Sequence, residues 1–381
     1  METTYNIGYE VMLPPNDSHI TGETKLIQQR QAGLSASPYN NNVVVLSKYQ
    51  GIHGPHQNNE RTVPFLNQTQ LFEVASKMAY TGVIDILSLS DVWPAESSDL
   101  DAFLGELRIP VIWEVCTMDF FQQHADTANR VSDRISKFIV VADAIRDQGI
   151  QAGIDPAIFE VVHPTVDTDI FKPASLVVRD EIRGHLGLNT KTNMGIYTGR
   201  FSSAKGTDFM IQNWRSVSQE GGQLVLIGSA GVAEQEAYLQ MIGKAPGVRY
   251  EGFITDDRKK AAYLRAADYF VMPSHSEGIS MSVLEAMACG LPIVASAEAV
   301  YDSALGEIVF EDITGHTFRQ YKPADLLQAV RLTLQRQKRN QYSANAARFI
   351  LENGFDLKST LKRVNGIYQS VLRDYYDGVQ P

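Results

Sequence analysis

The stretch DYFVMPSHSEGISMSVLEAMACGLPIVAS, residues 268–296, decides the fold class of this chain. It opens with the apolar run DYFVMPS, which predicts a buried strand, and closes with LPIVAS, which predicts another. Between them, the small residues around Gly278 predict a loop, and a helix is expected to begin near 280–282. Strand, helix and strand in this order make a βαβ unit, so the stretch predicts a parallel sheet.

The same alternation of strands and helices runs through the rest of the chain. Helical patterns such as GETKLIQQRQAGL and QLFEVASKMAY separate apolar runs typical of strands. The other predicted strands of the second half are NMGIYTGR, GQLVLIG, VRYEGF and EIVF, and those of the first half are YNIGYEVML, NVVVLS, VIDILSLS, IPVIWEV and KFIVVA. Two series of βαβ units predict an α/β protein with two parallel sheets.

The length of 381 residues suits two domains of about 150 to 200 residues. The segment HPTVDTDIFKPASLVVRDE contains two prolines and little periodicity, so we place a linker at 164–185. The predicted domains are residues 1–170 and 171–355. A C-terminal helix at about 356–381 is expected to cap either domain through one apolar face. That face consists of Leu361, Val364, Ile367, Tyr368 and Leu372.

Composition and charge exclude several classes of protein. No segment approaches the ~20 apolar residues of a membrane span, and the first residues, METTYNIGYEVMLPP, do not form a signal peptide, so a cytoplasmic protein is expected. A net charge of −10 argues against a general nucleic-acid binder. Cys116 and Cys289 lie far apart in apolar contexts and are expected to be reduced. We expect no metal and no cofactor.

A basic loop in the second half predicts an anion site. The strand NMGIYTG runs directly into RFSSAKG, which places Arg200 and Lys205 after a strand, with Gly199 and Gly206 beside them. Arginine binds two phosphate oxygens at once, lysine adds a compact charge, and glycine lets the backbone approach closely. A solvated basic turn is the alternative. The spacing fits neither the Walker pattern nor the dinucleotide fingerprint, which disfavours NTP hydrolysis and hydride transfer.

Two carboxylates flank the start of the helix in residues 268–296. The free N–H groups and the positive dipole end of this helix suit a phosphate. Glu277 directly precedes this site, so its carboxylate is expected to accept hydrogen bonds from uncharged groups such as sugar hydroxyls. Glu285 either does the same or closes a capping box with Ser282. The apolar residues expected in the core are Met281, Val283, Leu284, Met287 and Leu291.

These motifs together resemble the C-terminal half of the retaining glycosyltransferases of the GT-B fold, family 4. Glu277 and Glu285 fill the Glu-x7-Glu signature, and HPTVDTDIFKP and SDRISKFIVVADAIRDQG are similar to family segments upstream of it. The resemblance is strong over residues 130–300. It implies two Rossmann-like domains that face a cleft, with a nucleotide-sugar donor bound by the second domain.

The resemblance also implies a role for each donor-side residue. Arg200 and Lys205 bind the diphosphate, Glu285 binds the ribose hydroxyls, and Glu277 faces the transferred sugar. The backbone of YEGF, residues 250–253, lies beside the base, although its side chains equally suit the packing of a strand end. The other implied donor-binding residues are Gly22, Gly199, Glu251, Gly252, Phe253, Gly278, Ile279, Ser280, Met281 and Ser282.

In the first half the resemblance is weaker. LPPNDSHITGETKLIQQ matches the donor-facing loop of the family, although a simple glycine turn at Gly22 also explains it. Where the family usually has a histidine after the strand PVIWEV, this chain has Cys116, whose thiol is a weak hydrogen-bonding group for a sugar. The acceptor-side candidates are Asp17, His19, Asp91, Trp93 and Cys116.

The implied reaction is hexosyl transfer, with retention and without metal, from a UDP-sugar, or next a GDP-sugar, to a hydroxyl of a glycan, a lipid-linked sugar or a small molecule. In the mechanism proposed for the family, the departing phosphate oxygen takes the acceptor proton, so catalysis consists mainly of positioning and charge stabilisation. Peripheral contact with a membrane stays open. Two alternatives also stay open: a catalytically idle nucleotide-sugar-binding partner subunit, and a nucleotide-sugar epimerase.

Overall fold

The computed structural model describes residues 6–11, 22–36, 41–47, 60–64, 68–81, 85–90 and 98–378. Contacts between residues divide the chain into two units. The first unit comprises Met1–His163 with Lys358–Pro381, and the second comprises Pro164–Leu357. Each unit has its own sheet.

The described part of the first unit contains a seven-stranded sheet of order β3-β2-β1-β4-β5-β6-β7, in which the paired strands are parallel. Its strands are β1 (Asn6–Val11), β2 (Asn42–Ser47), β3 (Glu60–Pro64), β4 (Ile86–Ser90), β5 (Val111–Val115), β6 (Lys137–Val140) and β7 (Phe159–Val161). Its helices are α1 (Gly22–Ser35), α2 (Gln68–Tyr80), α3 (Ser98–Glu106), α4 (Phe120–Val131), α5 (Asp143–Gln151) and the C-terminal α15 (Leu357–Gly378). The five predicted strands of the first half are present, and the short edge strands β3 and β7 are additional.

The C-terminal helix α15 caps the first unit. All five residues of its predicted apolar face are buried. Polar contacts fix its position as well: Asn41 donates from Nδ2 to Oδ1 of Asn365 over 3.1 Å, and Tyr368 donates to Oε1 of Glu114 over 3.3 Å. The periodicity of the sequence predicted the helix and its apolar face, and the structure decides which unit that face covers.

The second unit contains, in its described residues, a six-stranded parallel sheet of order β10-β9-β8-β11-β12-β13. Its strands are β8 (Asn193–Thr198), β9 (Gly222–Ile227), β10 (Val248–Tyr250), β11 (Tyr269–Met272), β12 (Ile293–Ser296) and β13 (Gly315–Phe318). Its helices are α6 (Leu176–His185), α7 (Thr207–Asn213), α8 (Arg215–Ser218), α9 (Gln235–Lys244), α10 (Asp257–Ala266), α11 (Met281–Ala288), α12 (Ala297–Tyr301), α13 (Pro323–Thr333) and α14 (Arg336–Glu352). The strand order reverses direction between β8 and β11, which is where open α/β sheets bind ligands.

The last strand of this sheet differs from the prediction. We expected a strand in EIVF, residues 307–310, but a 3-10 turn occupies Ala304–Glu307 and the edge strand is β13. Gly315 pairs with Ile293 of β12, and a Cβ at Gly315 would lie 1.7 Å from the carbonyl oxygen of Ile293. The close pairing therefore depends on a glycine. The side chains of Ile308 and Val309 are buried without entering the sheet.

The predicted linker, residues 164–185, is helical over its second half, where α6 lies. Ser175 caps α6 by accepting a hydrogen bond from the backbone N–H of Val178 over 3.3 Å. Charged groups of α6 then bind Asp268, which directly precedes β11. Oδ1 of Asp268 accepts from Nη1 of Arg179 over 2.6 Å, and Oδ2 accepts from Nη2 of Arg183 over 2.8 Å. This buried cluster packs α6 against the sheet.

Candidate functional site

Two loops meet at the carboxyl ends of β8 and β11. The first loop, residues 199–206, follows β8, and the second, residues 273–280, follows β11. The backbone N–H of His275 in the second loop donates to the carbonyl oxygen of Ala204 in the first over 3.1 Å. The contact brings together the predicted anion site and the first glutamate of the Glu-x7-Glu signature.

Gly206 allows this contact. Its φ of 61° lies in the left-handed region, and a Cβ there would lie 1.9 Å from the carbonyl oxygen of Pro273. That oxygen also accepts a hydrogen bond from the amide nitrogen Nε2 of Gln320. The position therefore requires glycine for both conformation and space.

Replacing Gly206 with alanine is expected to destabilise the second unit more than the same change at Gly187. Gly187 has a φ of 62°, but a Cβ there meets no atom within 4 Å, so Gly187→Ala isolates the cost of the left-handed conformation. That cost is about 1 to 2 kcal/mol. Gly206→Ala adds the clash with Pro273 and should lose at least about 1 kcal/mol more. Urea unfolding of both variants measures the difference, and equal losses would contradict the role of this contact.

Lys205 and Glu277 form an ion pair where the two loops meet. The Nζ atom of Lys205 lies 2.6 Å from Oε1 of Glu277, which also accepts a hydrogen bond from Oγ of Ser274. The backbone N–H of Glu277 donates to Oγ of Ser303 over 3.0 Å. The side chain of Lys205 is 29% exposed and that of Glu277 is 9% exposed, so the ammonium group is the more accessible partner. The structure thus places a cation and a carboxylate, both predicted site residues, in direct contact.

Arg200 lies at the start of the first loop with its side chain exposed. Its carbonyl oxygen accepts a hydrogen bond from the hydroxyl of Tyr197 over 2.8 Å. Burial raises the pKa of Tyr197 well above its ordinary value, and the charge of Glu277 raises it further, so this hydroxyl stays a donor. The neighbouring Gly199 approaches β9 so closely that a Cβ at Gly228 would lie 1.8 Å from its carbonyl oxygen. The backbone at Arg200 is therefore firmly held.

The helix α11 begins at Met281, with Ser280 as its N-cap residue. The carbonyl oxygen of Ser280 accepts hydrogen bonds from the N–H groups of Val283 and Leu284, both over 3.1 Å. Ser282 thus lies inside the first turn, whose leading N–H groups have no partner within a helix. The capping-box interpretation of Ser282 and Glu285 is wrong, because that motif requires Ser282 at the N-cap. The five apolar residues predicted for the core are buried.

Glu285 forms an ion pair that the sequence analysis missed. Its side chain is 2% exposed, and Oε1 accepts a hydrogen bond from Nζ of Lys260 over 2.8 Å. Lys260 belongs to α10, which contains four consecutive charged residues, DRKK. No spacing in the sequence distinguishes Lys260 from its exposed neighbours, because the contact arises only when α10 packs beside α11.

The segment YEGF begins at Tyr250, the last residue of β10, and contains a glutamate with a partner for each carboxylate oxygen. Oε2 of Glu251 accepts a hydrogen bond from the hydroxyl of Tyr263 over 2.6 Å, and Oε1 pairs with Arg249. Burial and the contact with Glu251 raise the pKa of Tyr263 to about 12. Gly252 has a φ of 78°, and Phe253 after it is 43% exposed. The Glu251 contacts agree with the strand-end packing alternative, and contact of this segment with a base stays a prediction.

The candidates in the first half are placed as follows. Gly22 is the first residue of α1, as predicted. Cys116 directly follows β5, is half-buried and carries a reduced thiol. Asp17, His19, Asp91 and Trp93 lie outside the described residues. Their assignment to the acceptor side therefore stays a prediction.

A group of metal-ligand type lies away from these loops, near β13. Glu311 and Asp312 lie close to His316, and Nδ1 of His316 is 2.8 Å from Oε1 of Glu311. Nζ of Lys338 lies 2.9 Å from Oδ1 of Asp312 and 3.5 Å from Nε2 of His316. The lysine supplies the positive charge that a metal would bring, so this donor set fits a metal poorly.

The loops after β8 and β11 combine opposite charges in a way that suits a phosphorylated sugar. Cationic groups and a helix start such as those of Arg200, Lys205 and α11 are suited to an anion, and carboxylates such as those of Glu277 and Glu285 are suited to hydroxyl groups. Ile279 is buried, and Gly278 is half-buried between Glu277 and α11.

In the described part of the chain, no helix has the length and apolar character that a membrane crossing requires.

Comparison with known proteins gives the following matches. Residues 192–336 match the family model described as Glycosyl transferases group 1. The D-inositol 3-phosphate glycosyltransferase of Xylanimonas cellulosilytica is 31% identical over 204 residues, which cover 51% of this chain and 48% of that protein. A protein of the same name from Mycobacterium bovis is 29% identical over 255 residues, covering 63% of this chain and 51% of that protein. The chain thus spans about half the length of the curated relatives it matches.

Solved structures show the same fold over nearly the whole chain. Anabaena HepE, solved in complex with UDP and glucose, has a TM-score of 0.74 and 18% identity over 96% of this chain and 100% of that chain. Sucrose-phosphate synthase from Thermosynechococcus elongatus has a TM-score of 0.78 and 16% identity over 96% of this chain and 99% of that chain. At these identities the similarity concerns the fold alone, and it confirms the predicted α/β fold of GT-B type.

Proposed function

We propose, from the match of residues 192–336 to the Glycosyl transferases group 1 model, that the chain transfers a sugar from a nucleoside-diphosphate donor to an acceptor hydroxyl. A UDP-sugar is the favoured donor, and a GDP-sugar is the next candidate. The acceptor is a hydroxyl of a glycan, a lipid-linked sugar or a small molecule. Transfer proceeds with retention at the anomeric carbon and without a metal ion.

The observation that carries this proposal is the contact between Lys205 and Glu277 at the carboxyl ends of β8 and β11. A nucleotide-sugar needs cationic groups for its diphosphate and acceptors for its hydroxyls, and this contact places one of each side by side. The N-terminus of α11 follows Glu277 within four residues and offers further N–H donors. Similar proteins add support: Anabaena HepE, a structural neighbour, was solved with UDP and glucose, and two relatives in sequence are named D-inositol 3-phosphate glycosyltransferases.

The residues act mainly by positioning and by electrostatic stabilisation. Lys205 and Arg200 bind the diphosphate and stabilise the negative charge that grows on it as the anomeric C–O bond breaks. Glu277 orients the transferred sugar through its hydroxyls. The acceptor oxygen forms the new bond to the anomeric carbon, and its proton passes to the departing phosphate oxygen.

Because the cationic groups of Lys205 and Arg200 neutralise the leaving diphosphate, transfer is expected to proceed at the same rate in EDTA.

Thermal-shift screening tests the proposal. A ligand present at 100 times its dissociation constant stabilises the folded state by about 2.7 kcal/mol, so the true donor should raise the melting temperature clearly. UDP-, GDP- and ADP-sugars are compared at equal concentration, with free sugars as controls. A chain that binds none of them would rule out the proposed function.

An activity assay then separates transfer from binding alone. Glu277→Gln keeps the shape of the side chain but removes the negative charge of the carboxylate, which accepts hydrogen bonds from the sugar hydroxyls. The variant should therefore release nucleoside diphosphate from the donor more slowly. Intact donor binding with no turnover toward any acceptor, and no donor hydrolysis, would favour an idle binding subunit instead. Interconversion of the donor into its epimer would favour an epimerase. A cytoplasmic location stays a prediction.

A further inference from the structure

Lys260 is held between two carboxylates and an aromatic ring. Its Nζ atom lies 2.8 Å from Oε1 of Glu285 and 3.2 Å from Oδ1 of Asp257. The same atom lies 5.4 Å from the centre of the Phe171 ring, within the range of a cation–π contact. The side chain is 14% exposed, although it belongs to a helix whose neighbouring Lys259 is exposed.

This environment indicates a role beyond holding two helices together. Glu285 is almost completely buried, and a buried carboxylate that loses its cation is left strongly destabilised. A carboxylate can only accept hydrogen bonds, and its two oxygens define one plane. Since Lys260 binds one of those oxygens, it limits the orientations that the carboxylate can take. An ion pair with this geometry orients Glu285.

We propose that Lys260 is a positioning residue for the nucleotide ribose. It holds Glu285 in the orientation in which the carboxylate accepts hydrogen bonds from the ribose hydroxyls. The inference rests on the proposed function, in which Glu285 is the ribose ligand, and it adds Lys260 as the residue that makes this ligand effective. Asp257 and Phe171 hold the ammonium group in place from its other sides.

The role predicts a change in the preference for ribose hydroxyls, which a purely structural ion pair would not produce. The probes are UDP and its 2′,3′-dideoxy form, and the pair GDP and dideoxy-GDP if the wild type prefers guanine. The wild type should bind UDP roughly tenfold more tightly than dideoxy-UDP, the size expected of a hydrogen bond to a charged group. Titration calorimetry gives both dissociation constants for each variant.

Lys260→Met should reduce this preference to less than about threefold by weakening UDP alone, because the dideoxy form lacks the groups that Glu285 contacts. Lys260→Arg keeps the charge and should retain part of the preference. Lys259→Met is the matched control, since Lys259 lies on the same helix with an exposed side chain, and it should behave as the wild type. Glu285→Gln should remove the preference, and Lys260→Met in that background should reduce it no further.

Each outcome distinguishes a positioning role of Lys260 from a purely structural role. If Lys260→Met weakens both probes equally, or leaves the preference intact, Lys260 has only a structural role and the proposal is overturned. If Lys260→Met does not fold, Lys260→Gln, which is polar but uncharged, takes its place: a preference below about threefold supports the proposal, and one as large as that of Lys259→Met overturns it. A wild type that binds no nucleoside diphosphate overturns the proposed function itself, and this role of Lys260 with it.

Discussion

Replacing Lys205 with methionine is expected to lower kcat/KM for sugar transfer by about 10² to 10³, which corresponds to roughly 3 to 4 kcal/mol of transition-state stabilisation. Two effects act in the same direction. The leaving diphosphate loses a cation, and the carboxylate of Glu277, now without its partner at 2.6 Å, repels the same anion. Initial rates of nucleoside-diphosphate release, measured at low donor concentration, give kcat/KM directly.

The controls for Lys205 separate charge from fold. Lys191→Met removes an exposed lysine just before β8 and should leave the rate unchanged. Lys205→Arg keeps a positive charge in the loop and should recover part of the lost rate. The melting temperature of each variant is compared with that of the wild type, because Lys205→Met also leaves the buried carboxylate of Glu277 without this cation. A rate within threefold of the wild type would remove Lys205 from the proposed mechanism.

Replacing Asp268 with alanine is expected to lower the free energy of unfolding by about 3 to 5 kcal/mol. Asp268 is buried and accepts hydrogen bonds from Arg179, from Arg183 and from the backbone N–H of Met194 at the start of β8. A third guanidinium, that of Arg339, lies 3.4 Å away. Without the carboxylate, the buried guanidinium of Arg183 loses this counter-ion, although its hydrogen bonds to the carbonyl oxygens of residues 192 and 266 remain.

A matched control for this cluster is Asp180→Ala. Asp180 pairs with the same Arg179, but its side chain is 48% exposed, so its loss should cost no more than about 1 kcal/mol. Asp268→Asn preserves shape and some hydrogen bonds and should fall between the two. Urea unfolding measures each value, and hydrogen exchange of the β8 and β11 segments should rise for Asp268→Ala. If Asp268→Ala and Asp180→Ala lowered the free energy of unfolding by similar amounts, the expected effect of burial on this cluster would be contradicted.

The sequence predicted most of the second unit because its strands are short, apolar and followed by glycine-rich loops. The stretch 268–296 folds as the βαβ unit that its pattern indicated, and five of the six predicted strands of the second half are present. The prediction failed for EIVF, where apolar residues are buried without joining the sheet. A run of apolar residues predicts that a segment is buried. It does not predict whether the backbone of that segment forms the hydrogen bonds of a strand in the sheet.

The candidate site shows the same division. The sequence predicts four charged site residues, because each is of a chemical type suited to a phosphate or a hydroxyl and follows a predicted strand. They are Arg200, Lys205, Glu277 and Glu285. Lys260 was missed, since nothing in DRKK distinguishes one lysine from the next. The local pattern around Glu285 predicted a capping box with Ser282. In the structure, α10 packs beside α11, and Glu285 forms an ion pair with Lys260 instead.

The parallel α/β architecture, the residues at the carboxyl ends of β8 and β11, and the resemblance to the Glu-x7-Glu family could all be predicted from the sequence. Each depends on periodicity or on a short motif. Tertiary structure decided which charges meet. Lys205 and Glu277 are 72 positions apart and Lys260 and Glu285 are 25 apart, yet each pair is in contact. Residues 268–296 thus contain two glutamates whose lysine partners no local pattern identifies, since an ion pair forms through space after the sheet has assembled.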